Sequence, residues 1–342
     1  YFVVFDQKKN RLDQRFAFYN KNLRSTQPVQ FTVPKRSEAS ILLGQYGLRY
    51  PLDIFQSLRA TASLRQDRLT QLATDRNSLN TRPQTQQRVG LRLEYVFDNT
   101  VETALNLRVG GRMRLFAEGM KKFSFSQNGQ NGFSLDDGYL GVLGLDARYY
   151  HPVLKHSILA TRLAGMTSFG SEKILYYLGG VDNWLLPENN DEITAPPGNF
   201  AFQTLAANMR GFPINIRNGN SYVLMNTELR VPVFRYLSRQ LNSGFLRNFQ
   251  AIGFFDIGTA WAGPSPFRAD NPLNTSVYTE GGAGREFIFV TVNYYRDPIV
   301  AGYGVGIRSV IFGYFIRVDY GWGLETRKVQ TPKLHVALGF DF

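Results

Sequence analysis

Residues 89–98 read Val89-Gly90-Leu91-Arg92-Leu93-Glu94-Tyr95-Val96-Phe97-Asp98. Every second residue (Val89, Leu91, Leu93, Tyr95, Phe97) is apolar or aromatic, and those between include Gly90, Arg92, Glu94 and Asp98. A period of two puts the two sets on opposite faces of a β-strand. The alternation recurs over 105–119, where Leu105, Leu107, Val109, Met113 and Leu115 oppose Asn106, Arg108, Arg112, Arg114 and Glu118. It recurs again at the end, where Leu334, Val336, Leu338, Phe340 and Phe342 oppose His335, Ala337, Gly339 and Asp341. One apolar and one charged face over about ten residues is the pattern of a transmembrane β-barrel strand. A soluble β-sandwich also alternates, but it wants short strands and an apolar inward face. Residues 105–119 alone would extend about 50 Å at roughly 3.3 Å per residue.

Composition agrees with a membrane barrel. The 342 residues carry 39 Lys and Arg against 27 Asp and Glu, a net charge of +12. Cys is absent, which excludes cysteine zinc sites and a disulfide framework and fits passage through an oxidising compartment. Aromatics (27 Phe, 18 Tyr, 3 Trp) and 32 Gly are abundant, an odd balance for a soluble enzyme. A membrane helix needs roughly 20 mostly apolar residues in a row. The longest charge-free run, 193–209, holds Pro196, Pro197, Gln203 and two Asn and cannot supply one. The chain opens on Tyr1 without a signal peptide, which predicts a processed or partial chain with a periplasmic domain upstream.

Fourteen strands are expected, at 1–6, 12–20, 38–48, 54–65, 88–98, 104–119, 138–149, 156–166, 173–182, 221–231, 250–261, 300–311, 313–322 and 333–342, and segments 28–34 and 286–296 can supply two more. Links at 312–313 and 151–155 are short enough for periplasmic turns. Links 66–87 and 262–285 read as polar or Pro- and Gly-rich loops. The longest, 182–220, holds Pro187, Pro196, Pro197 and Pro213; a connection of that length inside a compact structure points to function or disorder.

Most chemical motifs are missing. The glycines of Gly302-Tyr303-Gly304-Val305-Gly306 do not open a helix after a strand, so they are no nucleotide loop. His151 and His156 flank a turn without a third ligand, and Asp136-Asp137 reads as a solvated turn. His335 falls on the inward face with no serine to partner it, against a barrel lipase. The arginines alternate along strands and form no stripe, so nucleic acid is not expected; a lumen lined with Arg or contact with anionic headgroups accounts for them. No catalytic residue, cofactor site or metal site is assigned.

One constellation is sharper. Met209-Arg210-Gly211-Phe212 sits in the long link, ahead of a strand carrying Asn226-Thr227-Glu228 and a second carrying Phe254-Phe255-Asp256-Ile257-Gly258. Parity sends Val223, Met225, Leu229 and Val231 outward on the first strand and Phe255, Ile257 and Trp261 outward on the second. Glu228 and Asp256 therefore point inward from consecutive strands, a receptor for a guanidinium that Arg210 can donate. The alternative is three ordinary lumen charges.

Arg210-Gly211-Phe212 in a long late loop, Phe254-x-Asp256-x-Gly258, and a closing strand ending in Phe342 together resemble the BamA/TamA superfamily of outer-membrane assembly and translocation barrels. Tyr95-Val96-Phe97-Asp98-Asn99, Gly179-Gly180 and Gly304-Val305-Gly306-Ile307-Arg308 agree with it. The likeness runs from 88 to 342; residues 1–87 match in strand character alone, and no POTRA domain is visible. The resemblance implies an all-β fold, a transmembrane antiparallel barrel of 16 strands over 1–342, whose extracellular loop 183–220 folds into the lumen. In the family, the loop arginine binds acidic residues of the next two strands, corresponding here to Arg210, Glu228 and Asp256, with Gly211, Phe212, Phe254 and Gly258 around them. First and last strands would meet at a weak seam, with Leu334, Val336, Leu338, Phe340 and Phe342 on the closing strand. That terminal segment also resembles the signal by which assembly machinery recognises barrel clients; it can equally serve to close the barrel.

The expected function is insertion or translocation of proteins in the outer membrane of a Gram-negative cell, without bond chemistry. Expected partners are outer-membrane lipids including lipopolysaccharide, client proteins, and accessory periplasmic or lipoprotein subunits. A passive channel and an anchor for a soluble domain or partner complex are the rival readings.

Overall fold

The computed structural model describes residues 2–12, 36–71, 83–126, 132–190, 193, 195–196, 198–206, 208–238, 242–268, 275–280, 288–293 and 296–342. In chain order these form β1 (Phe2–Leu12), β2 (Arg36–Pro51), β3 (Gln56–Gln71), β4 (Gln84–Asp98), β5 (Val101–Ala104), β6 (Leu107–Ser126), β7 (Gly132–Pro152), β8 (Ile158–Gly170), β9 (Lys173–Leu178), β10 (Phe200–Leu205), β11 (Arg217–Gly219) and β12 (Ser221–Val231). Two short helices follow, α1 (Val233–Leu237) and α2 (Gly244–Asn248). The chain then continues through β13 (Gln250–Trp261), β14 (Thr275–Glu280), β15 (Ile288–Asn293), β16 (Val300–Ile311), β17 (Tyr314–Glu325), β18 (Lys328–Val329) and β19 (Lys333–Leu338). Among the described residues, no helix is long and apolar enough to cross a membrane.

The protein is all-β. Among the described residues, fourteen strands pair into one large sheet in which sequence neighbours are mostly space neighbours. Two compact units share the chain. The first takes residues 1–49, 59–93 and 118–139; the second takes 50–58, 94–117 and 140–342.

In the first unit β1 and β2 are antiparallel, with Phe2 opposite Tyr46 and Leu12 opposite Arg36. Two of its arginines share one carboxylate: Arg88, almost fully buried, reaches Asp67 at 2.9 Å, and Arg65 reaches the same carboxylate at 2.9 Å. Val89, Leu91 and Leu93 of β4 are exposed, as the alternation at 89–98 requires.

The second unit is an antiparallel run in which β8 pairs with β12, β12 with β13, β13 with β16, β16 with β17, and β17 with β19. Its polarity is inverted relative to a water-soluble domain. On β12, Leu229 is 40% exposed while its neighbours Glu228 and Arg230 are each 1% exposed. Tyr303, Val305 and Ile307 of β16 face out, and Arg308 of the same strand is buried. An apolar exposed face over a charged buried face is stable only where the outer solvent is itself apolar.

Four expectations are corrected. The strand expected at 104–119 is broken by a tight turn: Ala104 pairs with Leu107, and Asn106 takes φ 64°, a left-handed conformation that Asn tolerates. Leu107 is consequently buried, not outward. The segment 173–182 is not a strand of the large sheet. Its Lys173–Leu178 stretch is β9, the middle of a separate three-stranded sheet in the order β10-β9-β11, and β8 passes directly to β12. The reason is legible in hindsight: Ile174, Leu175 and Tyr176 are buried in succession, without the alternation of a half-buried strand. Within 262–285, read as a loop, the β-branched stretch at Thr275–Glu280 is strand β14, paired with β15. Asp136 and Asp137 lie within β7, not in a turn. The strands expected at 12–20 and 28–34 lie outside the described residues, apart from Leu12. The turn at 312–313 is a two-residue hairpin, with Phe312 and Gly313 both at positive φ and Ile311 paired with Tyr314.

Candidate functional site

The register of β12 against β13 sets Asn226 opposite Asp256 and Glu228 opposite Phe254. Residues two apart share a face, so these four side chains project together to the buried side. Into them comes Arg210, from the insertion that connects β8 to β12. Its Nε–H and Nη2–H donate to Asp256 Oδ2 at 2.8 Å and Oδ1 at 2.7 Å, its Nη1–H to Glu228 Oε1 at 2.5 Å, and its backbone N–H to Asp256 Oδ2 at 3.1 Å. The guanidinium also lies over the Phe254 ring, 3.9 Å from the centroid. Burial by itself would lower the Arg210 pKa; the charges of Asp256 and then Glu228 outweigh it and hold the pKa well above the ordinary value.

Neither acid serves Arg210 alone. Glu228 Oε2 accepts from Arg230 Nε–H at 2.9 Å, and Asp256 Oδ1 accepts from Asn226 Nδ2–H at 2.8 Å. Asn226 also donates to the Asn208 carbonyl at 2.8 Å, so the backbone just before Arg210 is held by the same strand. Such charge-assisted, bidentate contacts are directional as well as strong.

The backbone of Arg210 and Gly211 and the Phe212 ring lie against a floor of glycines. Gly302 pairs with Gly323 and Gly304 with Gly321 across β16 and β17. A Cβ on Gly302 would fall on the Arg210 carbonyl, and one on Gly323 on the Phe212 ring. Phe212 is buried against this floor. Gly211 takes φ +86°, and a Cβ there would stand 2.6 Å from the Trp322 carbonyl carbon. Gly211→Ala is therefore expected to cost about 1–3 kcal/mol, read as a lower midpoint of thermal unfolding in detergent.

The Gly211 N–H donates to His335 Nε2 on β19 at 3.0 Å, and Trp184 packs tilted against the same imidazole, 4.4 Å between centroids and 54° between planes. An accepting Nε2 places the ring proton on Nδ1. Of the residues expected here, Arg210, Gly211, Phe212, Glu228, Phe254 and Asp256 come together. Gly258 does not: it pairs with Leu224, and a Cβ there would meet Leu224 and the Val223 carbonyl.

No protein-family model and no curated protein matches the chain. Among solved structures the chain is similar to BamA of Haemophilus ducreyi. That structure lacks POTRA domains 1–3; the match is 11% identical, has a TM-score of 0.47, and covers 98% of this chain and 62% of that one. The chain thus spans less than two thirds of the length of BamA in that structure.

The closing segment departs from its expected geometry. Leu334 and Phe340 are exposed and Val336 and Leu338 half-buried, but Phe342 is only 9% exposed. Strand β19 ends at Leu338. Gly339, at φ +104°, turns the chain, and its N–H donates to the Phe315 carbonyl at 2.9 Å. Phe342 then packs with Leu107, Tyr150, Ile158 and Ala160, so the alternation expected to continue through 342 is cut by the glycine.

Asp341 is drawn in by Arg308, whose Nε–H donates to it at 2.8 Å and whose Nη1–H and Nη2–H reach Asp319 at 2.8 and 3.1 Å. Burial alone would raise the Asp341 pKa; Arg308, with Arg230, pulls it below the usual carboxylate range. A depressed carboxylate stabilises the fold above its unfolded pKa and loses that contribution as pH falls through the folded value. Asp341→Asn is thus expected to lower the unfolding midpoint at neutral pH and to make less difference in strong acid, a contrast that denaturation at the two pH values would read.

Sequence reading missed His335 as a loop contact, the Arg308–Asp341 pair, and the glycine floor. It also missed Arg217, fully buried in the insertion, whose Nη1–H donates to Glu325 at 2.6 Å; burial outweighs Glu325 and lowers its pKa. The floor had a signal: Gly302-x-Gly304 and Gly321-x-Gly323 repeat at the strand period, which marks a close backbone approach. Among the described residues, no cluster of three or more His, Asp or Glu could hold a metal ion.

Proposed function

We propose that the chain is an outer-membrane β-barrel of the BamA/TamA type, which inserts or translocates client proteins at the edges of its first and last strands. In this reading the sheet forms a 16-stranded barrel whose first and last strands meet at a weak seam that can open, and the insertion between β8 and β12 occupies the lumen. The partners are outer-membrane lipids with lipopolysaccharide, unfolded clients and accessory subunits of a Gram-negative envelope, and no bond chemistry is involved. The observation that carries the reading is Arg210, held by Glu228 and Asp256 on the buried charged face of a sheet whose other face is apolar and exposed. Arg210 and Asp256 belong to the motifs on which the sequence resemblance rests, and Glu228 is the second acid that the resemblance implies.

Buried charged side chains cost free energy unless they are paired, and here they are paired with an insertion rather than with water. That arrangement supports a filled lumen over a wide channel. In planar bilayers the protein is therefore expected to conduct weakly and intermittently; large, steady, ion-selective currents would favour the channel reading. The direct test is reconstitution into liposomes with an outer-membrane barrel client diluted from urea. Folding of the client to its heat-modifiable form is expected to be faster than in empty liposomes; equal rates would count against insertion. Depletion in cells separates the remaining readings: loss of many unrelated barrels means a general insertase, and loss of one cargo a dedicated exporter.

A further inference from the structure

β19 is bonded to β17 on one side. Its other edge, the one an incoming strand would need, is already in use. Leu185 N–H donates to the Val336 carbonyl at 2.9 Å, Leu338 N–H to the Asn183 carbonyl at 3.4 Å, and Asn183 Nδ2–H to the Leu338 carbonyl at 3.2 Å. Trp184 and Ala337 form an antiparallel bridge between these bonds. This is the start of an extra strand, supplied by residues 182–188 of the insertion. Its side chains alternate correctly for the place: Trp184 turns in to pack, tilted, against His335 and with Val181 and Ala337, while Leu185 stays exposed on the outer side.

We propose that residues 182–188 are a strap that caps the β19 edge in cis and gives way to an extended client strand carrying apolar residues on one face and small, polar or aromatic residues on the other. The proposal rests on the insertase reading and names the contact that would regulate it. An edge strand left open is a template for any extended chain, and β-augmentation is the means by which such an edge binds a peptide. The strap is built to leave. It makes few backbone bonds, and its ends are pinned by the Lys333–Glu188 and Arg317–Asp182 ion pairs, in each of which the acid is 53% exposed. The Lys333–Glu188 pair, open to solvent on both sides, holds weakly, whereas the Arg317–Asp182 pair, whose arginine is buried and also donates to the Asp182 carbonyl at 2.9 Å, anchors the start of the strap. Asn183, at φ 52°, turns the chain into the strap in a left-handed conformation that Asn tolerates. A client strand running the length of β19 would replace these bonds and add others.

The test uses two changes of opposite sign in the full chain, in phosphatidylethanolamine and phosphatidylglycerol liposomes with a urea-unfolded barrel client. Leu185→Pro removes the N–H that bonds Val336 at an exposed position. Client assembly is expected to quicken about twofold to tenfold, the worth of one hydrogen bond, while Leu185→Ala, which keeps the N–H, stays at the parent rate. Leu185→Cys combined with Val336→Cys, in a chain with no other cysteine, is expected to stop assembly when oxidised and recover with reductant. An oxidised, cross-linked protein that works at the parent rate overturns the strap. If the parent chain itself assembles no client, the insertase reading fails, and the strap is judged by hydrogen exchange. Slow exchange at Leu338 that Leu185→Pro makes fast upholds it, and loop-like exchange at Leu338 in the parent overturns it.

Discussion

Arg210→Ala is expected to destabilise the second unit by about 3–5 kcal/mol, because removing one partner of a buried ion pair leaves the other charges unpaired. Two carboxylates would be stranded, Asp256 fully buried and Glu228 nearly so. Glu228 would retain Arg230, at 2.8 Å, whereas Asp256 would retain only the Asn226 amide among the contacts described above. The larger penalty should therefore fall on Asp256, and Arg210→Ala with Asp256→Asn should recover part of the loss. The first visible consequence is not global unfolding but release of the insertion. Protease cleavage within residues 171–220 should become rapid while the paired strands stay resistant. Arg210→Lys should fall between the two, since an ammonium cannot bond Asp256 in bidentate fashion and Glu228 at once. Unchanged protease resistance in Arg210→Ala would remove the clasp from the account altogether.

Arg308→Ala should have a comparable effect, also about 3–5 kcal/mol, but at a different place. Arg308 neutralises two carboxylates, Asp319 on its neighbouring strand and Asp341 beyond β19. Without it, Asp341 keeps only the neutral Asn106 Nδ2–H at 2.9 Å and Arg317 at 3.7 Å in place of the close ion pair. Residues 339–342 should swing out, uncovering Leu107, Tyr150 and Ile158. Hydrogen exchange at Gly339, whose amide is bonded to Phe315, should rise sharply, with a lower denaturation midpoint. Both Arg210 and Arg308 act on the charge of Asp319, so the loss in the double variant should depart from the sum of the two single changes.

These two sites show how unevenly the protein can be read from its chain. Glu228 and Asp256 were legible because parity is local: knowing that Leu229 and Phe255 face out fixes where their neighbours point. Arg210 was legible as a donor because it lies in the longest link, ahead of both strands and beside glycine and phenylalanine. Phe342 was misplaced by the same rule. Parity propagates only while the backbone stays extended, and Gly339 at positive φ ended it three residues too soon. The turn at Asn106 broke the expectation for 104–119 in the same way.

The sequence by itself determined what is set by short-range repetition. These are the all-β character, the inward and outward faces of β4, β12 and β13, and the pairing of consecutive strands joined by short turns. These follow from a period of two and from the reach of a few residues. Only the tertiary structure decided which distant groups meet. The partnership of Gly211 with His335, of Arg308 with Asp341, of Arg217 with Glu325 and of Leu185 with Val336 joins residues far apart along the chain. Charges and backbone amides carry no address in one dimension. Their partners are chosen when the insertion is buried against the sheet and every polar group removed from water must find another there.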